Sequence, residues 1–388
     1  MQFARIIGQR KLINSLVDIA MSGRLSHAQL FSGSYGSGSF ALALAYAQFI
    51  ACEDKQFYNP TDKSGLKADS CGKCPSCIKY SRLVHPDLHL VFPNTTTKKI
   101  DSKNESLLFR EQFTQYVLER NAYIDLDSWY DTLGVDNKQG MINVRDAAYI
   151  VKALSMKTYE SEYKIMIIWA CDKLYHEAAP KLLKILEEPY ENTLFLLVSD
   201  NIGNILGTIR SRTQLVKVLP IAEEDLAVHL QEEFAMERDE ALRISRQAEG
   251  DYIRALEYKD GSKAEFVACF MQWTRLAFQY RRKAGEINAF VEKICKWGRE
   301  EQKSFLSYSL ELFRQCMRTA LGLETGGLFV DKQGEEFRRN FSRFVNETNI
   351  GEIYRLFERS QYNIQRNASS KMVFFDLTLQ MGRLLSGK

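Results

Sequence analysis

Between Ala28 and Val218, short apolar runs of strand length alternate with stretches of helical period, and beyond Pro220 the strand-type runs cease. The runs are Ala28–Phe31, Asp87–Phe92 (DLHLVF), Tyr163–Ala170 (YKIMIIWA), Thr193–Ser199 (TLFLLVS) and Thr213–Val218. Several are apolar almost throughout, the pattern of strands covered on both faces. Phe40–Cys52, Val144–Met156 with Asn143 as its cap, and Glu177–Leu186 closed by Glu187-Glu188-Pro189 have helical character between them. This order predicts a parallel sheet with helices on both faces.

After Pro220 the helical stretches are Glu223–Phe234, Arg238–Ala248 and Asp251–Tyr258, then Ala264–Tyr280, Glu286–Lys296, Lys303–Leu321 and Ile350–Gln361. They predict three regions: an α/β domain over 1–220, a small helical segment over 221–261 and an all-α domain over 262–388. An amphipathic helix over 9–23 precedes the first strand. Residues 95–140 break the alternation with a helix at Glu105–Glu119 and an aromatic stretch from Tyr123 to Tyr130. They read as an insertion in the α/β domain with no legible role. A chain of 388 residues with 45% apolar and 26% charged side chains is globular, not disordered. Its net charge of +3 neither demands nor excludes nucleic acid. No apolar run approaches the ~20 residues needed to cross a bilayer. The opening Met1-Gln2-Phe3-Ala4-Arg5 gives way to mixed polar sequence without an export signal, so the expected compartment is the cytoplasm.

The first strand runs into GSYGSGS. A phosphate-binding loop uses glycines so that backbone N–H groups can close on phosphate, then a Lys for charge and a Ser or Thr for Mg²⁺. Gly33, Gly36 and Gly38 have the required spacing, but Ser39 stands at the Lys position and Phe40 at the hydroxyl position. The matching acidic pair should end an apolar strand; Ile165–Ile168 provides the strand, and Trp169 and Ala170 stand where the acids belong. Asp172 follows and reads as a cap of the next segment. A flexible turn would give the same glycines, and weak phosphate binding at the helix N-terminus is compatible with them. Hydrolysis and productive ATP binding are not expected.

Four of the eight cysteines, Cys52, Cys71, Cys74 and Cys77, fall within 26 residues. Four thiolates suit tetrahedral, structural Zn²⁺ with no open position for water. Cys52 is the most distant of the four, and His85 is an alternative fourth ligand. An iron–sulfur cluster is the alternative occupant. Lys67, Lys73 and Lys79 are placed to offset thiolate charge. Cys171, Cys269, Cys295 and Cys316 read as core residues.

Ile7-Gly8-Gln9, Leu25-Ser26-His27-Ala28, Cys52 with CGKCPSC, His85-Pro86-Asp87, LLKILEEP at Leu182–Pro189 and IRSRTQ at Ile209–Gln214 give the sequence a family likeness. It resembles the bacterial DNA polymerase III clamp-loader subunits of the AAA+ superfamily, and among them the delta-prime type, which often lacks the Lys and the acidic pair. The likeness covers residues 1 to about 260. Beyond that it is one of length and helicity, with a trace around Arg366-Asn367-Ala368. It implies a RecA-like AAA+ domain, a small helical lid and a helical collar that joins ATPase subunits and a delta subunit in a ring. Such rings load a sliding clamp on primed DNA, within an assembly classed as a DNA-directed DNA polymerase. The resemblance implies that Arg212 reaches, in trans, ATP bound by a neighbouring subunit, with Thr213 departing from the family's Cys. It places Arg254 at the lid's sensor arginine and Ser199 at the first polar sensor, each with a purely structural role as the alternative. It supports the same four cysteines as zinc ligands, with a longer gap after Cys52 than is usual. Two other functions remain open at this point: an active ATPase of the same fold, and a zinc-dependent DNA-binding module.

Overall fold

In the computed structural model, five strands form one parallel sheet: β1 (Ala28–Gly33), β4 (Leu88–Val91), β5 (Lys164–Trp169), β6 (Thr193–Ser199) and β7 (Gln214–Val218), in the order β4-β5-β6-β1-β7. Leu30 stands opposite Leu197 on one side and Leu215 on the other. Every residue of β5 and β6 is buried, as their apolar runs require. The sheet order reverses at β1, whose neighbours β6 and β7 both come late in the chain. Its carboxyl end is therefore a topological switch point, where open α/β sheets leave a crevice. The description covers all residues except 60, 63, 98–99, 101–102, 136–139, 261–263, 324–331 and 388.

Helix α1 (Arg10–Met21) precedes the sheet, and α2 (Ser39–Ala51) follows β1 directly. Residues Ser39 to Phe49 of α2 are all buried, in keeping with a helix that is apolar on every face. A two-stranded hairpin, β2 (Gln56–Phe57) with β3 (Ala68–Asp69), and the short α3 (Pro75–Ser81) then lead to β4. The hairpin has no counterpart in the sequence reading because two-residue strands carry no period.

The expected helix at Glu105–Glu119 starts as a 3₁₀ turn, Ser106–Phe109, and continues as α4 (Arg110–Glu119). The aromatic stretch becomes α5 (Leu126–Leu133), capped by the Asp125 carboxylate on the Ser128 N–H and stopped by Gly134 at φ +66°. Parts of the expected 95–140 insertion, 98–99, 101–102 and 136–139, lie outside the described residues. Helix α6 (Val144–Ser155) opens with a capping box between Asn143 and Asp146. Asp146 also accepts hydrogen bonds from the Ser106 N–H, the Ser106 hydroxyl and Asn94, which ties the entry of the insertion to α6. Burial raises the Asp146 pKa, opposed by those bonds.

Helix α7 (Ala179–Glu187) connects β5 to β6, and α8 (Gly207–Arg210) precedes β7. Beyond β7 come α9 (Glu223–Phe234), α10 (Arg238–Ala248) and α11 (Tyr252–Lys259). The chain divides into two compact units, Met1–Ala255 and Leu256–Lys388. The small segment expected at 221–261 is divided between them, and the boundary expected near 262 lies outside the described residues.

In the second unit, α12 (Ala264–Phe278), α13 (Ala284–Ile294), α14 (Arg299–Ala320), α15 (Lys332–Phe341), α16 (Ile350–Gln365) and α17 (Ser370–Leu385) pack around Trp273. The Trp273 indole donates to Thr378 Oγ1 at 2.7 Å and is ringed by Phe290, Phe305, Phe357 and Phe374. Gly382 permits α17 to approach α12: a Cβ there would lie 2.4 Å from the Ala277 carbonyl oxygen. Among the described residues no helix is long and apolar enough to cross a membrane.

Candidate functional site

The glycine loop sits at the switch point between β1 and α2. Gly36 (φ +64°) and Gly38 (φ +85°) adopt left-handed backbone that other residues rarely take. The loop is covered by its own chain. A Cβ on Gly36 would meet Asp251 Oδ1 at 1.8 Å, and one on Gly38 would meet the Tyr123 ring at 2.7 Å. The Gly36 carbonyl accepts the Tyr252 N–H at 3.2 Å, so the start of α11 is fastened to the loop. The Ser37 and Ser39 hydroxyls, both buried, share a hydrogen bond at 3.2 Å. Gly33 leaves room for them: a Cβ there would lie 2.4 Å from Ser37 Oγ.

Phe40 and Trp169, the residues at the hydroxyl and acidic positions, pack together with ring centres 6.2 Å apart. Phe113 from α4 completes the cluster at 6.1 Å from Phe40 and 5.5 Å from Trp169. It stacks on Phe92 at 3.8 Å and meets Trp129 of α5 edge-on at 5.1 Å. No side-chain oxygen is contributed by Phe40, Trp169 or Ala170, so these three positions offer a magnesium ion nothing to bind. Asp172 does not cap the segment after β5; the residue at that cap is Ala170 at φ +50°. The Asp172 carboxylate instead accepts the Ser199 hydroxyl at 2.8 Å and pairs with Lys173.

At the far end of α2, Cys52 joins Cys71, Cys74 and Cys77, with all four sulfur atoms within 4.8 Å of one another. Cys52 closes α2, while Pro75 opens α3 directly after Cys74. Amide N–H groups point at the sulfurs: Cys71 to Cys52 at 3.3 Å, Cys74 to Cys71 at 3.2 Å and Cys77 to Cys74 at 3.4 Å. Burial pushes the Cys52 and Cys77 thiols up. Burial also raises Cys71, but the Lys73 and Cys74 amides outweigh it and hold that thiol at about 7. The set can hold a metal ion, and a divalent cation would replace the thiol protons.

His85, the alternative ligand, uses its nitrogens elsewhere: Nδ1 accepts the Asp87 N–H at 3.1 Å and Nε2 shares a hydrogen bond with Ser161 at 3.2 Å. Burial lowers its pKa. Asp87 accepts the amides of Tyr159, Glu160 and Ser161, which overcome its burial and keep its pKa low. Lys67 and Lys79 pair with Asp18 and Glu160, so their charges are engaged outside the cysteine cluster.

Arg212 follows α8. Its Nη1 donates to the Thr208 carbonyl at 2.9 Å, and Nη2 pairs with Glu187 at the end of α7. The Arg212 side chain is one-third exposed. The LLKILEEP and IRSRTQ segments thus meet in one ion pair. Arg254 lies beside Asp251, which accepts its N–H at 3.0 Å and stands 3.8 Å from Nε. Ser199 is buried at the end of β6.

The profile of the family described as DNA polymerase III, delta subunit matches residues 8–222, more than half of the chain. The chain belongs to this family. DNA polymerase III subunit delta' of Bacillus subtilis (strain 168) is 27% identical over 259 residues, which cover 64% of this chain and 62% of that protein. The chain therefore matches less than two thirds of the Bacillus protein's length. The subunit delta' of Haemophilus influenzae is 25% identical over 322 residues, 83% of this chain and 78% of that one. A DNA polymerase III gamma subunit-related protein from Thermotoga maritima superposes with a TM-score of 0.37 at 14% identity, covering 95% of this chain and 99% of that chain.

In this member of the DNA polymerase III delta family, the four cysteines foreseen from spacing are brought together, as are the glycine loop and the end of β5. Four residues at these sites escape sequence reasoning: Tyr123, Asp251, Phe113 and Glu187. The aromatic density of 113–130 is the one sequence signal for the first and third. Nothing in the spacing points to Asp251. Glu187 lies in a recognisable segment, but its pairing with Arg212 is a tertiary contact.

Proposed function

We propose that the chain is a non-catalytic, delta-prime-type subunit of a DNA polymerase III clamp loader. It takes its place in a hetero-oligomeric ring with ATPase subunits and a delta subunit, in the cytoplasm, and the ring loads a sliding clamp on primed DNA. Residues 1–220 serve as the AAA+ domain, 221–261 as a lid and 262–388 as a collar. The four cysteines hold one structural Zn²⁺, and the glycine loop carries no productive ATP. The observation that carries this reading is the packing of Phe40 against Trp169, with Phe113 beside both. Apolar rings meet where an ATPase needs a magnesium-binding hydroxyl and an acid.

The active contribution is Arg212. A guanidinium held by Glu187 and the Thr208 carbonyl at the protein surface is a fixed positive charge. Offered to ATP on a neighbouring subunit, it would neutralise charge developing on the γ-phosphoryl group. Reconstitution tests this. Arg212→Ala should leave the chain folded and ring assembly intact while lowering clamp- and DNA-stimulated ATP hydrolysis at the site it reaches ~10³-fold or more, the range attributed to arginine fingers. An unchanged ATPase in an assembled ring overturns the role of Arg212.

A further inference from the structure

The insertion that had no legible role delivers a side chain into the nucleotide crevice. After α4 and its cap Arg120 come two consecutive left-handed residues, Asn121 (φ +49°) and Ala122 (φ +62°). Neither is glycine, and two in succession are unusual. Backbone bonds from Ala122 to Val117 and from Tyr123 to Arg120, both 2.9 Å, close the turn. Tyr123 then touches three walls. Its ring lies against Gly38 of the glycine loop. Its hydroxyl accepts the Ile7 N–H at 2.9 Å, on the segment before α1. Its ring meets Tyr252 at 4.9 Å, T-shaped, at the start of α11, and Tyr252 meets His229 of α9 at 5.1 Å. Beyond Tyr123 a cleft of about 540 Å³ remains, lined by Ile7, Gly8, Arg10, Asp225 and His229 among others, a size that suits a small organic ligand.

We propose that the α4–α5 insertion is an intramolecular occupant of the nucleotide site: Tyr123 lies across the loop that would receive the phosphates, and Phe113 fills the space beside it. Phosphate cannot reach the N–H groups at the start of α2 while the Tyr123 ring covers Gly38. The Asp251 carboxylate against Gly36 adds charge of the wrong sign. The site is therefore closed by two separate means, the missing lysine at Ser39 and the aromatic plug. The insertion also bridges the glycine loop and α11, a bridge that a bound ligand would otherwise make. This inference rests on reading the glycine loop as a site that has given up nucleotide, and it is independent of Arg212.

Calorimetric titration of ADP into the full chain separates the two means, using wild type, S39K, Y123A and S39K/Y123A. Y123L removes the ring atoms over Gly38 while keeping apolar packing, and it replaces Y123A if that variant fails to fold, as judged by circular dichroism and thermal melting. Wild type and Y123A, which both lack the lysine, should bind no ADP, and S39K should bind it at most weakly. The double variant should bind, at least about tenfold more tightly than S39K. Equal binding by S39K and the double variant overturns the plug. Absence of binding by a natively folded double variant also overturns it, and leaves the non-catalytic reading standing. Tight binding by wild type overturns the plug and the nucleotide-free reading together.

Discussion

Cys52 is separated from Cys71 by 19 residues, yet its sulfur lies with those of Cys71, Cys74 and Cys77 because α2 ends where the turn before α3 begins. Four buried or half-buried sulfurs within 4.8 Å of one another can all be thiolates only if a cation offsets their charge. Elemental analysis of the purified chain should find about one zinc per chain, the occupancy of a closed four-sulfur site. Cys74→Ser should lose most of it and lower the melting temperature. Iron in its place, or full zinc retention in the variant, contradicts the assignment. The cysteines were legible in the sequence since x2 spacing and thiol chemistry are local properties. The Arg212–Glu187 pair was not, since it joins the ends of α7 and α8 across β6.

Helices α4 and α5 are held by one aromatic cluster. Phe113 is almost fully buried and touches Phe40, Phe92, Tyr116, Trp129 and Trp169. Trp129 is fixed by its indole N–H on the Pro93 carbonyl at 2.8 Å. Truncating a ring at such a centre leaves a cavity with no side chain able to fill it. Phe113→Ala should cost ~3–5 kcal/mol in urea unfolding. A loss under ~1 kcal/mol would mean that the insertion is not packed as described. Strands β5 and β6 were readable because apolar runs covered on both faces need no knowledge of their partners; Thr193–Ser199 has the ends the sequence suggests. The insertion resisted reading for the opposite reason. Phe113 makes sense only beside Phe40 and Trp169, 73 and 56 residues away in sequence. Tyr123 is aimed by left-handed backbone at Asn121 and Ala122, where no glycine marks the turn.

The molecule keeps the sheet order, crevice and glycine loop of a nucleotide-binding domain, while the side chains that would act there are apolar or bonded to one another. Its all-α unit has a separate core around Trp273. Family likeness was legible in short segments such as LLKILEEP and IRSRTQ. The division of the helical half was less so: helices after Pro220 share one period whichever unit they join, and residues 221–255 fall with the sheet. On the function proposed above, the domain acts by shape and by one charge offered outward, without turnover of its own. The most direct test is steady-state ATP hydrolysis by the purified full chain in the presence of Mg²⁺. Phosphate release should stay at background. Turnover of about 1 per second or faster, the range of ordinary enzymes, abolished by chelating Mg²⁺, would contradict it.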